Sequence, residues 1–239
     1  RLKSINKGQS NGIAYTYDQN GIRTSKTVGT VQTRFHTDGG VLRVMESNGK
    51  TVHFLYDEIG ELLGMRVVSG GTVSEYSYVK NLQGDITALL DSNGEKAAGY
   101  TYDSWGRCSM TSDSDLTLAT LNPFRYRGYF YDEETGFYYL KSRYYDPVVG
   151  RFLNADRLLS GLGGMSSSYN LYSYCFNNPL NFEDSEGMYP KSSQVKSASW
   201  YTGSIGRRMK TASSYGNPII EKETFIKKIK KDFEEFDWK

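Results

Sequence analysis

The chain has 239 residues, a formal net charge of +2 and a hydrophobic fraction of 38%, enough for one large domain or one domain with a tail. No apolar run reaches the roughly 18 residues a membrane-spanning helix needs, and no signal-peptide pattern is read within these residues. Two cysteines, Cys108 and Cys175, make neither a disulfide framework nor a metal set and read as plain, partly buried thiols. The low apolar content is offset by 14% aromatic residues, with 20 tyrosines that suit strands burying a ring face beside a wet hydroxyl. Twenty-five glycines against 5 prolines point to tight turns. Arg1 falls within the repeat pattern and is not Met, an opening that suggests a fragment lacking an N-terminal part.

A repeat runs along the chain. "YTYDQNG" (15–21) returns as "FLYDEIG" (54–60), as a degenerate "YSYVKNLQG" (76–84), as "YTYDSWG" (100–106), and with one extra residue as "YFYDEETG" (129–136). "RYYDPVVG" (143–150) is the last copy. Tyr-x-Tyr puts both rings on one face of a strand, because side chains alternate with period two. The Asp ends the strand and bonds the backbone beyond it, and the Gly supplies a positive φ. Each unit reads as strand, turn, strand, and helical periodicity is almost absent before residue 219. The tyrosines Tyr17, Tyr56, Tyr78, Tyr102 and Tyr131 lie 39, 22, 24 and 29 residues apart, a hairpin period with loop insertions. One hairpin cannot bury its aromatic face alone, but stacked neighbours can. The expected fold is mainly β, a long, curved, continuous sheet and not a compact sandwich. His36 and His53 lie in different repeats without ligand-like partners, which argues against a metal site. "NNPLNF" (177–182) reads as a turn followed by a strand.

Composition changes after Gly187. Residues 189–239 carry 11 Lys/Arg and 6 Asp/Glu, a net of +5, while the remaining 188 residues carry a net of −3. A weakly acidic body with a basic tail suggests two units with different jobs. Residues 189–216 read as irregular. Asn217 and Pro218 then suit a helix start, and Phe225, Ile226, Ile229, Phe233 and Phe236 share a helical face. Lys227, Lys228, Lys230 and Lys231 form a basic cluster open to three readings: phosphate contacts of a nuclease, a membrane-active helix, or a solvated helix packed by its aromatic stripe. The tail has no His and no Cys, which removes the usual His general base and His/Cys metal ligands of a metallonuclease. A truncated or remnant effector fits this composition.

Several motifs in order, "YDSWGR", "NLQGDITALLDSNG", "FRYRGYFYDEETGFYYLKSRYYDPVVGRFLNAD" and "YNLYSYCFNNPLNFEDSEG", resemble the RHS/YD-repeat proteins and their RHS-associated core over residues 13–188. The cell-wall-associated bacterial branch is the nearest in character. The resemblance implies a hollow β-shell built from residues 1–122, an RHS-associated core or plug over 123–188, and a variable tail over 189–239 that the shell encloses as cargo. It implies a secreted or cell-surface polymorphic toxin of bacterial competition, opposed by a cognate immunity protein.

The resemblance also implies an aspartic autoprotease, with no cofactor and no metal. The family's two DPxG motifs correspond to Asp156 and Asp184, its arginine to Arg143, and its cut to the bond between Met188 and Tyr189. Two adjacent carboxylates sharing a proton supply the base and the acid. This chain departs from the motif. Arg157 and Ser185 stand where Pro is expected, Leu159 replaces the first Gly, Met188 replaces Leu, and a loose "SGLGGMSSS" lies within the 28-residue spacing. Missing prolines loosen the turns that aim the carboxylates, and Arg157 beside Asp156 favours its ionised form. Asp156 and Asp184 therefore read either as a protease pair or as turn formers in a plug that does not cut. Asp146 reads as a turn former, and Arg143 and Arg151 also fit arginines stacked on tyrosines. A non-catalytic extracellular β-repeat module that binds cell-surface glycans is the alternative function. A tail with its own enzymatic toxicity ranks last.

Overall fold

The computed structural model describes residues 1–6, 8–111, 113–156 and 170–192. Arg157, Leu159, the insert at 160–168, the lysine cluster and the expected helix from Asn217 lie outside them.

Eleven strands form one open antiparallel sheet in which every strand pairs with its sequence neighbours. They are β1 (Ser4–Ile5), β2 (Ile13–Tyr17), β3 (Arg23–Val28), β4 (Val31–Asp38), β5 (Val41–Ser47), β6 (Lys50–Tyr56), β7 (Leu62–Ser69), β8 (Thr72–Lys80), β9 (Ile86–Leu90), β10 (Lys96–Tyr102) and β11 (Cys108–Met110). The expected chain of hairpins is thus one continuous sheet.

The YD turns are built locally. At residues 57–61, the Asp57 N–H donates to Glu61 O (2.9 Å) and Gly60 N–H donates to Asp57 O (3.0 Å). Asp57 Oδ1 accepts the N–H groups of Ile59 and Glu61 at 3.0 and 2.8 Å. Gly60 sits at φ +84°, where a side chain is strained. Asp91, Asp103 and, with a side-chain amide in place of the carboxylate, Asn81 make the same bonds.

The tyrosine hydroxyls find partners as the rings are buried. Tyr56 Oη donates to Leu42 O at 2.8 Å and Tyr102 Oη to Ile86 O at 2.6 Å. A helix, α1 (Leu116–Leu121), interrupts the β pattern. Asp115 caps it by accepting from the Thr117 and Leu118 amides, and it buries Leu118 and Ala119. Six residues are too few to reveal a helical period.

A second, four-stranded antiparallel sheet follows: β12 (Phe130–Asp132), β13 (Phe137–Leu140), β14 (Arg143–Asp146) and β15 (Arg151–Phe152). It docks on the first sheet through a buried cation. Arg23 of β3 is 2% exposed and bonds Asp132 Oδ2 at 2.5 Å, while Lys26 reaches Asp132 Oδ1 at 3.1 Å. The guanidinium lies 4.5–4.6 Å from the ring centres of Phe35, Phe130 and Tyr139. Three tyrosine hydroxyls of this layer also hold the rim turn at 103–106. Tyr126 donates to Ser104 O (3.0 Å), Tyr138 to Gly106 O (2.8 Å) and Tyr145 to Trp105 O (2.7 Å). Last, β16 (Phe182–Glu183) pairs with β17 (Lys191–Ser192), which ties the first residues of the expected tail back to this layer. No helix among the described residues is long and apolar enough to cross a membrane.

Candidate functional site

Arg143 opens β14, and its guanidinium lies 3.6 Å from the ring centre of Phe152 on the adjacent β15. The stacking partner is thus a phenylalanine, not the expected tyrosine. Nη2 meets Asp156 Oδ2 at 3.1 Å and Asp184 Oδ2 at 3.3 Å. Nη1 donates to Leu171 O at 3.2 Å, and Nε donates to Gly187 O at 2.6 Å. One side chain therefore gathers residues from three separate segments. Arg151 stays exposed and does not join them.

Asp156 follows β15, and its N–H donates to Leu171 O at 2.9 Å. Its side chain is 14% exposed, against 0% for Asp184. Asp184 follows β16. Its N–H donates to Tyr129 Oη at 3.0 Å, and that hydroxyl lies 3.2 Å from Tyr174 Oη. Asp184 Oδ1 accepts the Met188 N–H at 2.9 Å. Burial pushes the Asp184 carboxyl above its ordinary value, against the opposing pull of the Met188 amide and of Arg143. Burial likewise lowers Arg143, and both aspartates oppose that shift. Both Oδ2 atoms share one guanidinium nitrogen, so a proton held between them competes with that cation.

The hairpin turn between β13 and β14 grips the same segment. Ser142 Oγ faces Glu186 O at 2.7 Å and also reaches Gly187 O. Lys141 Nζ pairs with Glu186 Oε1 at 2.7 Å. Gly187 sits at φ +64°, and a Cβ there would lie 2.6 Å from Leu140 O and 2.8 Å from Ser142 Oγ. The peptide between Gly187 and Met188 is thus held by its oxygen from β14 and by its N–H from Asp184. Met188 and Tyr189 are 39% and 47% exposed.

The structure brings Arg143, Asp156 and Asp184 together, with the Met188 N–H on Asp184. Asp146 stands apart and holds a turn by accepting from the Val148 and Val149 amides at 2.8 and 3.2 Å. Sequence reasoning missed Ser142, Tyr129, Tyr174 and Arg127. The buried Arg127 donates to Pro179 O at 2.6 Å, and its own N–H reaches Asp85 Oδ1 at 2.9 Å, so it ties the segment before Asp184 to the sheet rim. Two arginines inside the aromatic run "FRYRG" were the available signal for it. Glu183, Ser185 and Glu186 help line a cavity of about 460 Å³ with Arg127, Tyr129 and Lys141. Burial pushes the Cys175 thiol up to about 12, which keeps it unreactive.

The family model described as Teneurin YD-shell matches residues 72–180. The tRNA nuclease WapA of Bacillus subtilis (strain 168) is 40% identical over 186 residues, which is 76% of this chain and 8% of WapA. The chain is an RHS/YD-repeat protein. The double-stranded DNA deaminase toxin A of Burkholderia cenocepacia (strain H111) is 35% identical over 100 residues, covering 42% of this chain and 7% of the toxin. Among solved structures, a TcdB2-TccC3-Cdc42 crystal structure matches 79% of this RHS chain and 9% of its own, with TM-score 0.60 and 22% identity. A Photorhabdus luminescens Tc holotoxin pore matches 80% of this chain and 9% of its own, with TM-score 0.56 and 21% identity. These structural likenesses concern the fold. The RHS chain spans less than a tenth of the length of each of these four proteins.

Proposed function

We propose that this chain is the shell and plug segment of a secreted or cell-surface polymorphic toxin of bacterial competition, and that it cuts itself between Met188 and Tyr189 to free residues 189–239 as enclosed cargo. In this reading 1–122 is shell, 123–188 is plug, and a cognate immunity protein opposes the freed segment. The supporting observation is the convergence of Asp156, Asp184 and the Gly187 carbonyl on Arg143.

The roles follow from environment. Asp156, the more open carboxylate, takes a proton from water as the oxygen attacks the Met188 carbonyl carbon. Asp184, whose carboxyl burial pushes above its ordinary value, is the acid that gives its proton to the Tyr189 nitrogen as the C–N bond breaks. The products are a Met188 carboxylate and a Tyr189 amine, and Arg143 holds the carboxylates in place. Because Asp184 must carry a proton, the rate falls as pH rises through its raised value. Intact mass of the expressed chain tests the proposal, alongside Asp156→Asn and Asp184→Asn. The expected result is a break at Met188–Tyr189 that both substitutions abolish.

A second reading is favoured by Arg157 and Ser185 in place of proline and by the guanidinium shared between the carboxylates. It is a plug that does not cut, in an extracellular β-repeat module that binds cell-surface glycans. A wild-type chain that stays whole, together with retention on a glycan array, would select it. The nuclease reading of Lys227, Lys228, Lys230 and Lys231 is tested by tRNA integrity in cells expressing the full chain.

A further inference from the structure

We infer that the Lys141–Ser142 hairpin turn is a register clamp for the cut, with Ser142 as a positioning residue. The inference rests on the self-cleavage reading above. Three features carry it. First, the turn reaches 45 residues along the chain to the segment before the cut. The Ser142 N–H donates to Glu186 O at 3.3 Å, Ser142 Oγ faces the Glu186 and Gly187 carbonyls, and Lys141 Nζ pairs with the Glu186 carboxylate. Second, Arg143 Nε donates to the same Gly187 oxygen, so that carbonyl has two donors from adjacent residues. Third, Lys141 sits at φ +54°, in the left-handed region a lysine seldom adopts. The cost of that conformation is offset where the turn makes specific contacts.

A single serine hydroxyl has one proton, so it donates to Glu186 O or Gly187 O at any instant, and the Ser142 N–H holds Glu186 O meanwhile. The arrangement leaves no room to slide. A shift by one residue would put Met188 where Gly187 sits, and its Cβ would meet Leu140 O and Ser142 Oγ. The clamp therefore sets which peptide bond lies one step beyond the grip. A residue that merely stabilised the turn would change melting and not the position of the cut.

The test is a time course of intact mass on the full chain for wild type, Ser142→Ala and Ser142→Thr, with hydrogen exchange at the Met188 amide and a melting curve for each. Wild type is expected to give one product boundary. Ser142→Ala is expected to cut roughly 10–100-fold more slowly, the scale of small misplacements at a reacting centre, and to yield products ending at neighbouring bonds. Ser142→Thr, which keeps the hydroxyl, should restore a single boundary. Equal rate and boundary in wild type and Ser142→Ala would overturn the clamp while leaving self-cleavage standing. If wild type stays whole, self-cleavage fails and the Met188 amide decides the clamp. Protection lost in Ser142→Ala and kept in Ser142→Thr upholds the grip on residues 186–188, and equal protection in all three overturns it.

Discussion

The turns at 57–61 and 184–188 share a D-x-x-G sequence, and in both an Asp Oδ1 accepts the amide four residues on. Around Asp57 the bonds close within five residues, and a Cβ on Gly60 would meet nothing within 4 Å. Asp184 instead bonds Tyr129, 55 residues away, and Arg143, 41 residues away, and Gly187 is walled in by Leu140 and Ser142. One local device thus serves two purposes. In the first sheet it stands on its own and repeats. In the second layer it becomes a site only when distant strands converge on it, because the added contacts are all long-range.

Four measurements break or sharpen that contrast, and alkaline pH should have the largest effect. Burial pushes the tyrosine hydroxyls upward, to about 12 for Tyr100 and Tyr126 and well above the ordinary value of 10.0 for Tyr129, Tyr138 and Tyr174. A raised folded value means the stabilisation is complete below the unfolded value near 10 and is lost as pH climbs through the folded ones. Amide exchange against pH should show the second layer, with its deeply buried Tyr129, Tyr138 and Tyr174, opening before the hairpins around Asp57.

Next comes Arg23→Ala. It leaves Asp132 buried with Lys26 as its remaining cation, and removing one partner of a buried pair costs about 3–5 kcal/mol. Denaturant unfolding should show that loss, concentrated in β12–β14. If the midpoint does not move, the Arg23 contact does not hold the layers together.

Glycine substitutions compare the two turns directly. Gly60→Ala carries only the strain of positive φ, about 1 kcal/mol. Gly187→Ala adds a clash with backbone and should cost about 2–3 kcal/mol, within the range for strained sites. Equal urea midpoints for the two variants would show that the walls around Gly187 give way.

The smallest effect belongs to Asp57→Ala. It removes one local acceptor, Asp57 Oδ1, with its two hydrogen bonds, and should cost about 1 kcal/mol with no change in the second layer. A loss of Met188 amide protection in that variant would contradict the independence of the two regions.

The same contrast explains what could be read in advance. Tyr-x-Tyr-Asp and its Gly announce strand, turn and face within seven residues, so the meander was legible from "YTYDQNG" and its copies. The position of Arg143 beside Asp156 and Asp184 came through family resemblance, since no local pattern links residues 41 apart. Ser142 and Tyr129 were invisible for a related reason. A serine before an arginine and one tyrosine among 20 carry no mark of the backbone they will meet. Arg23 was missed because its partner Asp132 lies 109 residues later. Helix α1 escaped because six residues between Asp115 and Asn122 show no period.

That separation of 109 residues between Arg23 and Asp132 has a consequence in time. At about 5–20 residues per second of synthesis, Arg23 and the aromatic face around it wait roughly 5–20 s for their acidic partner to leave the ribosome. During that interval β2–β4 present uncovered rings and an unneutralised cation to the cell. The nascent chain is therefore most open to a holding chaperone, and most prone to sticking to a neighbouring copy, just before its second layer emerges.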